Sequence, residues 1–198
     1  MNHRLYVGGD FDRIGYWQYK YITSYTNITS ETRFLDIACG CFRLGKLIIP
    51  YLDNGFYYGI DSNQEIVDAG LEHELNEIEN KNFKVDVNSA FDFSFCDGYD
   101  IAWANSLLSH LTLSDIRILF TNLKNISTED NIVYFTYFDK VRTPGRHRGN
   151  SDTSHARKDF YYDWIDIKDT LIDIGWKCTV TPVQNHPRHQ TVVSAKMT

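Results

Sequence analysis

Apolar positions along the chain follow two spacings, and stretches of the two kinds alternate. In residues 11–25 apolar side chains recur every three or four positions, which predicts an amphipathic helix with Asp10 placed to cap its first turn. Residues 33–38 form a short apolar run that ends in a turn of small residues, and residues 43–52 return to the helical spacing. This order predicts a helix, then a strand, a tight turn and a second helix.

The strand and helix pattern occurs again in the next part of the chain. Asn54 and Gly55 mark a turn, and residues 56–60 form a run of residues that favour strands. Residues 63–79 then show helical spacing, with five apolar residues on one face: Ile66, Val67, Leu71, Leu75 and Ile78. A second strand and a second helix are therefore expected.

The alternation continues to the end of the chain. Short apolar runs predict three more strands, over residues 83–87, 99–104 and 131–138. Thr112 or Ser114 can cap a helix over residues 113–123. After a long polar loop, a helix over residues 161–174 is expected to stop at Gly175, followed by two strands, over residues 177–182 and 191–196.

Strands that alternate with helices predict an α/β fold, with a doubly wound, mostly parallel sheet covered on both faces. The final two strands, joined by a short turn, are expected to pair as a hairpin. A chain of 198 residues is the size of one domain, so residues 1–198 are predicted to form a single domain. In it, residues 1–30 would be an N-terminal helical cap and residues 139–159 a loop long enough to serve as a lid.

Composition narrows the class of protein. No apolar run approaches the roughly 18 residues of a membrane helix, and the first residues are too polar for a signal peptide, so a cytoplasmic protein without a membrane partner is expected. Twenty basic residues against 26 acidic ones argue against nucleic-acid binding. Neither the cysteines nor the histidines have the spacing of a metal site, so no metal is predicted and the cysteines are interpreted as reduced packing residues: Cys39, Cys41, Cys96 and Cys178.

Candidate chemistry lies at the carboxyl ends of the first two strands, where open α/β sheets bind their ligands. Asp36 precedes the small-residue turn and would repel a pyrophosphate, so the turn favours a ligand with a positive group. Asp61 lies 21 residues beyond Gly40, a spacing that suits an acid binding the two hydroxyls of a ribose. Together these features indicate S-adenosylmethionine, although each aspartate could instead cap the helix that follows it.

Three segments resemble the class I S-adenosylmethionine-dependent methyltransferases: F-L-D-I-A-C-G-C-F-R-L-G, Y-Y-G-I-D-S and Y-D-I-A-W-A-N-S-L-L-S-H-L. The opening Y-V-G-G-D-F-D-R-I-G and the late H-P-R-H-Q are similar to a bacterial subgroup often found beside polysaccharide-modification genes. The resemblance covers nearly the whole chain. It implies a Rossmann-like sheet of seven strands whose last strand is antiparallel.

The resemblance also implies a cofactor site in which each group of residues meets one part of S-adenosylmethionine. Asp36 and the turn residues Ala38, Cys39 and Gly40 would face the methionine, and Asp61 the ribose. The remaining residues would border the adenine or close the pocket through their backbone: Ser62, Asn88, Ser89, Ala104 and Asn105.

The turn departs from the family loop, which usually reads acid-x-Gly-x-Gly-x-Gly. Ala38 and Phe42 stand at the first and third glycine positions. Ala38 can be accommodated there if its backbone keeps a negative φ, and Phe42 is expected to start the helix and to pack inward.

Methyl transfer to a hydroxyl requires removal of a proton, and His110 is the candidate general base. It could instead pack in the core beside Leu111. The loop over residues 139–159 carries six basic and three acidic residues, which makes it either a solvated surface or a lid that binds an anionic acceptor. If the loop is a lid, four of its residues are predicted to bind the acceptor: Arg146, His147, Arg148 and His155.

The sequence therefore predicts a methyltransferase that uses S-adenosylmethionine to methylate oxygen on a small-molecule acceptor, which can be anionic. A sugar or polysaccharide precursor is suggested by the resemblance alone. Two alternatives stay open: a catalytically silent methyltransferase-like binding domain, and a nicotinamide-dependent oxidoreductase, against which Asp36 and the missing phosphate-binding glycines argue. The oligomeric state is not predicted.

Overall fold

The computed structural model describes residues 2–53, 56–78, 81, 83–142 and 159–198. The chain divides into two compact units, Met1–Ile101 and Ala102–Thr198. Within the described ranges, none of the helices combines the length and the apolar character needed to cross a bilayer.

The first unit is built from parallel strands and the helices that connect them. Its elements, in chain order, are α1 (His3–Tyr6), α2 (Phe11–Tyr25), β1 (Phe34–Ile37), α3 (Gly45–Ile48), β2 (Tyr57–Asp61), α4 (Gln64–His73) and β3 (Phe83–Val87). The strands run parallel in the order β3-β2-β1, with Asp36 opposite Gly59 and Asp61 opposite Val87. A further strand, β4 (Ile101–Ala104), spans the boundary between the units.

Apolar side chains explain why these segments form these elements. All four residues of β1 are buried, as expected of a strand covered on both faces. In α2 the residues at helical spacing turn inward, including Phe11, Ile14 and Tyr21. Asn63 caps α4 because its side-chain oxygen accepts the Ile66 N–H at 3.3 Å.

The second unit contains the antiparallel strands. After a short 3₁₀ helix (Leu108–His110) come α5 (Leu113–Lys124), β5 (Ile132–Asp139), β6 (Tyr161–Tyr162), α6 (Trp164–Ile172), β7 (Trp176–Val180) and β8 (Thr191–Met197). The last strand, β8, lies between β5 and β7 and is antiparallel to both. Thr112 caps α5, as predicted, by accepting the Asp115 N–H.

The predicted fold class, an α/β fold with mostly parallel strands and an antiparallel last strand, is confirmed. The described residues hold eight strands, one more than the predicted seven. The additional strand is β6, in residues that the sequence assigns to the start of a helix. Tyr161 pairs there with Phe138, and their rings stack at 4.9 Å between centroids, so strand pairing replaces the first helical turn.

Several local predictions are wrong. Asp10 does not cap α2, because its φ of 51° is left-handed and its carboxylate accepts from Arg13 Nε (2.9 Å). The helix predicted over residues 43–52 is only the four residues of α3. Leu71 is exposed on α4, where Gly70 occupies the inward position. The final strands do pair, but residues 181–190, not a short turn, connect them.

A buried acid holds the N-terminal α1 to the rest of the first unit. The Glu74 side chain is only 2% exposed and accepts from His3 Nε2 (2.7 Å), Arg4 and Lys46 Nζ (3.2 Å). Burial by itself would raise the pKa of Glu74, but its hydrogen bonds to Arg4, His3 and Lys46 outweigh this and lower the pKa to about 2. This network explains why four residues that cannot form a stable isolated helix are ordered.

Close packing of α4 requires a glycine. A Cβ on Gly70 would lie 2.7 Å from Cys41 Cα and 2.6 Å from Phe42 Cδ2. The absence of a side chain therefore lets α4 approach the turn that follows β1. The first of these contacts is with backbone, which cannot move away as a flexible side chain can.

We expect Gly70→Ala to destabilise the protein by about 1–3 kcal/mol, the usual effect of overpacking. Helix propensity alone predicts the opposite, a gain of about 1 kcal/mol. Urea denaturation measures the difference. Glu72→Ala, on the exposed part of the same helix, is the control and should stay within about 0.5 kcal/mol of the wild type. A stabilised Gly70→Ala variant would contradict the close packing.

Candidate functional site

The turn after β1 has an unusual backbone. Ala38, Gly40 and Phe42 have φ values of 62°, 57° and 59°, so every second residue is left-handed. These are the three positions at which the family loop has glycine, and Ala38 does not meet the condition of a negative φ under which it would be accommodated there. Each non-glycine residue in this region costs roughly 1–2 kcal/mol. The turn must therefore be held by contacts elsewhere.

Phe42 supplies one of those contacts. As predicted it packs inward and is fully buried, but it does not start a helix, since α3 begins at Gly45. A Cβ on Gly45 would lie 3.0 Å from Phe42 Cβ, and one on Gly70, in α4, would lie 2.6 Å from Phe42 Cδ2. The ring therefore fills a space that two glycines leave open, and its burial offsets the strained backbone.

Asp61 supplies the other contact, through both of its carboxylate oxygens. Oδ2 accepts the Gly40 N–H at 2.9 Å, and Oδ1 accepts the Asn63 N–H at 3.0 Å. Burial raises the pKa of Asp61, while the backbone hydrogen bonds from Asn63, Gly40 and Ser62 oppose this rise. A carboxylate has about four acceptor positions, so the three backbone donors leave about one for a ligand hydroxyl.

Asp36 lies in the neighbouring strand and is 4% exposed. Its Oδ2 accepts the Tyr57 hydroxyl at 2.9 Å. Burial raises the pKa of Asp36, the Tyr57 hydrogen bond and the charge of Arg43 lower it, and the charge of Asp61 adds to the rise, so that the pKa is about 7. A positive ligand group beside this carboxyl would favour its charged form.

Neither aspartate caps the helix that follows it, so this alternative is wrong for both. Asn63 is the N-cap of α4, and Leu44 precedes α3 without a side-chain cap. Asp36 instead binds Tyr57, and Asp61 joins the turn to the start of α4. Both acids stand at carboxyl ends of adjacent parallel strands, where α/β folds bind ligands.

The other predicted cofactor residues of the first unit surround Asp61. Cys39 is buried, and its N–H donates to the Ile60 carbonyl at 3.0 Å. Asn88 donates its N–H to the Asp61 carbonyl at 3.0 Å, while its side chain accepts from the Asp92 N–H and so shapes its own loop. Ser62 and Ser89 are exposed.

The remaining predicted residues lie in the second unit. Ala104 is buried at the end of β4. Arg188 N–H donates to His186 Nδ1 (3.0 Å), which leaves Nε2 as the protonated nitrogen that donates to Asn105 Oδ1 at 3.0 Å. His110, the last residue of the 3₁₀ helix, is exposed and lines a cavity of about 420 Å³. Its exposure excludes packing in the core.

The four predicted acceptor-binding residues, Arg146, His147, Arg148 and His155, lie outside the described residues. The predicted lid over residues 139–159 is described only at its two ends, so both assignments stay predictions. Within the described ranges, no three His, Cys, Asp or Glu side chains form a group that could hold a metal ion.

Sequence reasoning missed three residues that shape these sites: Tyr57, Asn63 and Gln190. Tyr57 is the partner of Asp36, and a buried tyrosine hydroxyl needs such a partner, which is a signal that the run F-Y-Y-G-I already contained. Asn63 is a favoured N-cap residue directly before a helical pattern. Gln190 belongs to H-P-R-H-Q, but its partners on β5 and after β4 become visible only in the fold.

No family model matches the chain. Several solved structures do match it in fold. The magnesium protoporphyrin IX methyltransferase from Synechocystis PCC 6803, with bound SAM, has a TM-score of 0.66 at 13% identity, covering 94% of this chain and 79% of that one.

Two further structures have similar scores. A S-adenosylmethionine-dependent methyltransferase from Clostridium acetobutylicum ATCC 824 has a TM-score of 0.67 at 11% identity, covering 98% of this chain and 94% of the other. The glycopeptide N-methyltransferase MtfA has a TM-score of 0.72 at 11% identity, covering 93% and 90%. At these identities the comparisons establish the fold alone. The chain has the fold of the S-adenosylmethionine-dependent methyltransferases, and the predicted resemblance is confirmed at that level.

The raised pKa of Asp36 predicts how stability depends on pH. Between its ordinary value of 3.8 and about 7, the folded protein keeps the proton that the unfolded chain has lost. The stability that Asp36 contributes is therefore complete below pH 3.8 and is lost as the pH rises to about 7. One proton corresponds to a slope of about 1.4 kcal/mol per pH unit.

Asp36→Asn should remove this slope, because the amide oxygen can still accept from Tyr57 but cannot titrate. The measurement is the free energy of unfolding of both proteins in urea from pH 4 to 8. Asp68→Asn, an exposed acid on α4, is the matched control and should follow the wild type. Parallel curves for wild type and Asp36→Asn would show that Asp36 ionises normally.

Proposed function

We propose that the protein is a methyltransferase that binds S-adenosylmethionine and transfers its methyl group to an oxygen atom of a small molecule. The observation that carries this proposal is Asp61, fixed by backbone N–H groups at the end of β2 with about one acceptor position left for a ligand hydroxyl. This remaining acceptor position suits a hydroxyl of a ribose. The fold shared with methyltransferases supports the same ligand.

Asp36 supports the second half of the cofactor. S-adenosylmethionine supplies a methyl group on a positively charged sulfonium and also carries an amino group. A buried carboxyl at the end of β1 attracts such positive charge and would repel the pyrophosphate of a dinucleotide. Asp36, Ala38, Cys39 and Gly40 would hold the methionine, Asp61 the ribose, and Ser62, Asn88 and Ser89 the adenine side, with Ala104 and Asn105 closing the pocket.

His110 would act as the general base. Its imidazole is exposed at the cavity of the second unit and can accept the proton of an acceptor hydroxyl. Methyl transfer is an in-line displacement, so positioning of the acceptor supplies much of the acceleration. The loop over residues 139–159 would cover the acceptor, with Arg146, His147, Arg148 and His155 as its contacts. A sugar precursor in the cytoplasm is the acceptor that the segment resemblance favours.

Two alternatives make different predictions. A catalytically silent domain would bind S-adenosylmethionine tightly and turn over no acceptor. A nicotinamide-dependent oxidoreductase would be stabilised by nicotinamide cofactors in a thermal-shift experiment and not by S-adenosylhomocysteine. Asp36 argues against the oxidoreductase, because its carboxyl precedes the turn and would repel a pyrophosphate there.

We expect Asp61→Ala to weaken the binding of S-adenosylmethionine and S-adenosylhomocysteine tenfold to a hundredfold. Hydrogen bonds to a charged group contribute about 1.5–3 kcal/mol, which corresponds to that range. Isothermal titration calorimetry on the folded variant provides the measurement.

Asp68→Ala is the matched control, since it removes the same charge from an exposed position on α4 and should leave affinity unchanged. Circular dichroism checks that Asp61→Ala keeps its fold, because the variant also loses two backbone hydrogen bonds. A wild-type protein that binds neither compound would refute the proposed function.

His110→Ala should slow turnover roughly a hundredfold or more and leave cofactor affinity unchanged, as expected when a general base is removed. Release of S-adenosylhomocysteine from an acceptor found by screening provides the rate. His73→Ala, an exposed histidine on α4, should have wild-type turnover. If His110→Ala also retains it, His110 is not the base.

A further inference from the structure

The cavity of the second unit contains a buried amide that lacks a partner. Gln190 lines this cavity of about 420 Å³ and is 2% exposed. Its Nε2 is buried and finds no hydrogen-bond acceptor among the described residues. An unsatisfied buried donor is unfavourable and is uncommon in native proteins, so it calls for a ligand or a physical reason.

The orientation of this amide is set by its neighbours. Thr136 Oγ1 accepts the Ser106 N–H at 2.7 Å and donates its own hydrogen to Gln190 Oε1 at 2.6 Å. Ser106 Oγ donates to the same oxygen at 3.0 Å. If the amide were flipped, Nε2 would donate to Thr136 Oγ1, which already accepts the Ser106 N–H. The hydroxyl hydrogen of Thr136 would then lose its acceptor on Gln190. Oε1 therefore faces the hydroxyls, and the Nε2 branch faces away from them.

The backbone beside Gln190 is strained on both sides of the amide. His189, directly before it, and Ser106, bonded to it, both line the cavity with a φ of 61°. Left-handed conformations of non-glycine residues cluster at ligand sites, where the surrounding structure maintains them. Here the strain and the unsatisfied donor coincide.

The side chains of the lining include groups that suit an anionic ligand. They are Arg188, whose guanidinium is cationic, and the histidines His110 and His189, beside one acid, Asp159. Ser106, Ser109 and His110, which line the cavity, follow β4, and Phe138, which also lines it, lies near the carboxyl end of β5. Ligands of α/β folds bind at such ends.

We propose that the Nε2 of Gln190 binds an oxyanion of the methyl acceptor, a carboxylate or a phosphate, inside this cavity. Gln190 is then a positioning residue that holds the acceptor, and its two N–H groups acquire the partner that the described residues do not supply. The role in methyl transfer rests on the proposed function. The binding of an oxyanion does not.

The test uses the full chain without cofactor and two separate probes, acetate and inorganic phosphate. Sodium chloride keeps the ionic strength constant. Nuclear magnetic resonance follows the side-chain amide of Gln190, assigned by its disappearance in Gln190→Glu. A saturable shift of this signal is expected with a dissociation constant of about 1–50 mM, the range for ligands of four or five heavy atoms. Methylammonium chloride, which has no acceptor atom, should cause no shift.

The variants separate Gln190 from the general charge of the region. Gln190→Glu can still accept from Thr136 and Ser106, but it replaces the donor by a second acceptor, and binding should fall at least tenfold. The backbone amide of His110 follows the titration in that variant. Asn185→Asp adds the same charge at an exposed position on the same segment, outside the cavity lining, and should bind within twofold of the wild type.

Each outcome decides one point. Saturation by acetate alone assigns a carboxylate, and saturation by phosphate alone assigns a phosphate. A Gln190 signal that neither probe moves in the wild type overturns the proposal, whether or not the variant folds. Unchanged binding by Gln190→Glu also overturns it. Oxyanion binding without S-adenosylmethionine binding would refute the proposed function and leave the oxyanion site in place.

Discussion

The hydrogen bond from the Gly40 N–H to the Asp61 carboxylate is the interaction on which the candidate cofactor site depends. It links the turn after β1 to the end of β2 and holds a backbone in which Ala38, Gly40 and Phe42 are left-handed. Phe42 turns into the core between two glycines as a consequence. Before the same turn, Asp36 is buried and accepts the Tyr57 hydroxyl. One carboxylate thus organises the local backbone and remains available to a ligand.

Buried polar groups play a comparable part in the second unit. Ser106, Thr136 and Gln190 form a connected network, and His186 fixes Asn105 next to it. Such networks are favourable only when every member is satisfied, since the same low dielectric that strengthens a buried hydrogen bond penalises a missing one. The unsatisfied Nε2 of Gln190 is therefore the feature of this network that its own packing does not explain.

Local patterns predicted elements well where one face of a segment dominates its contacts. The bounds of α2 and β3 agree with the predicted residues 11–25 and 83–87. In α2 regular apolar spacing and burial coincide, and in β3 apolar and polar residues alternate along a half-buried strand. The pattern failed where a contact distant in sequence took over. Tyr161 joins a strand since Phe138 is available for pairing, and Gly70 replaces Leu71 as the inward residue of α4 because the turn at Cys41 packs against it.

The same division holds for the candidate sites. Asp36 and Asp61 could be predicted from the sequence by itself, since parallel strands bring their carboxyl ends to one edge and the spacing of 21 residues is readable. The sequence also determined the α/β class through its alternating periodicities. Only the tertiary structure decided that neither acid caps a helix, that Ala38 is left-handed, and that Gln190, which lines a cavity, has an unsatisfied donor. Those properties depend on partners such as Tyr57 and Thr136, tens of residues away, and local spacing carries no information about which distant groups the fold brings within hydrogen-bonding distance.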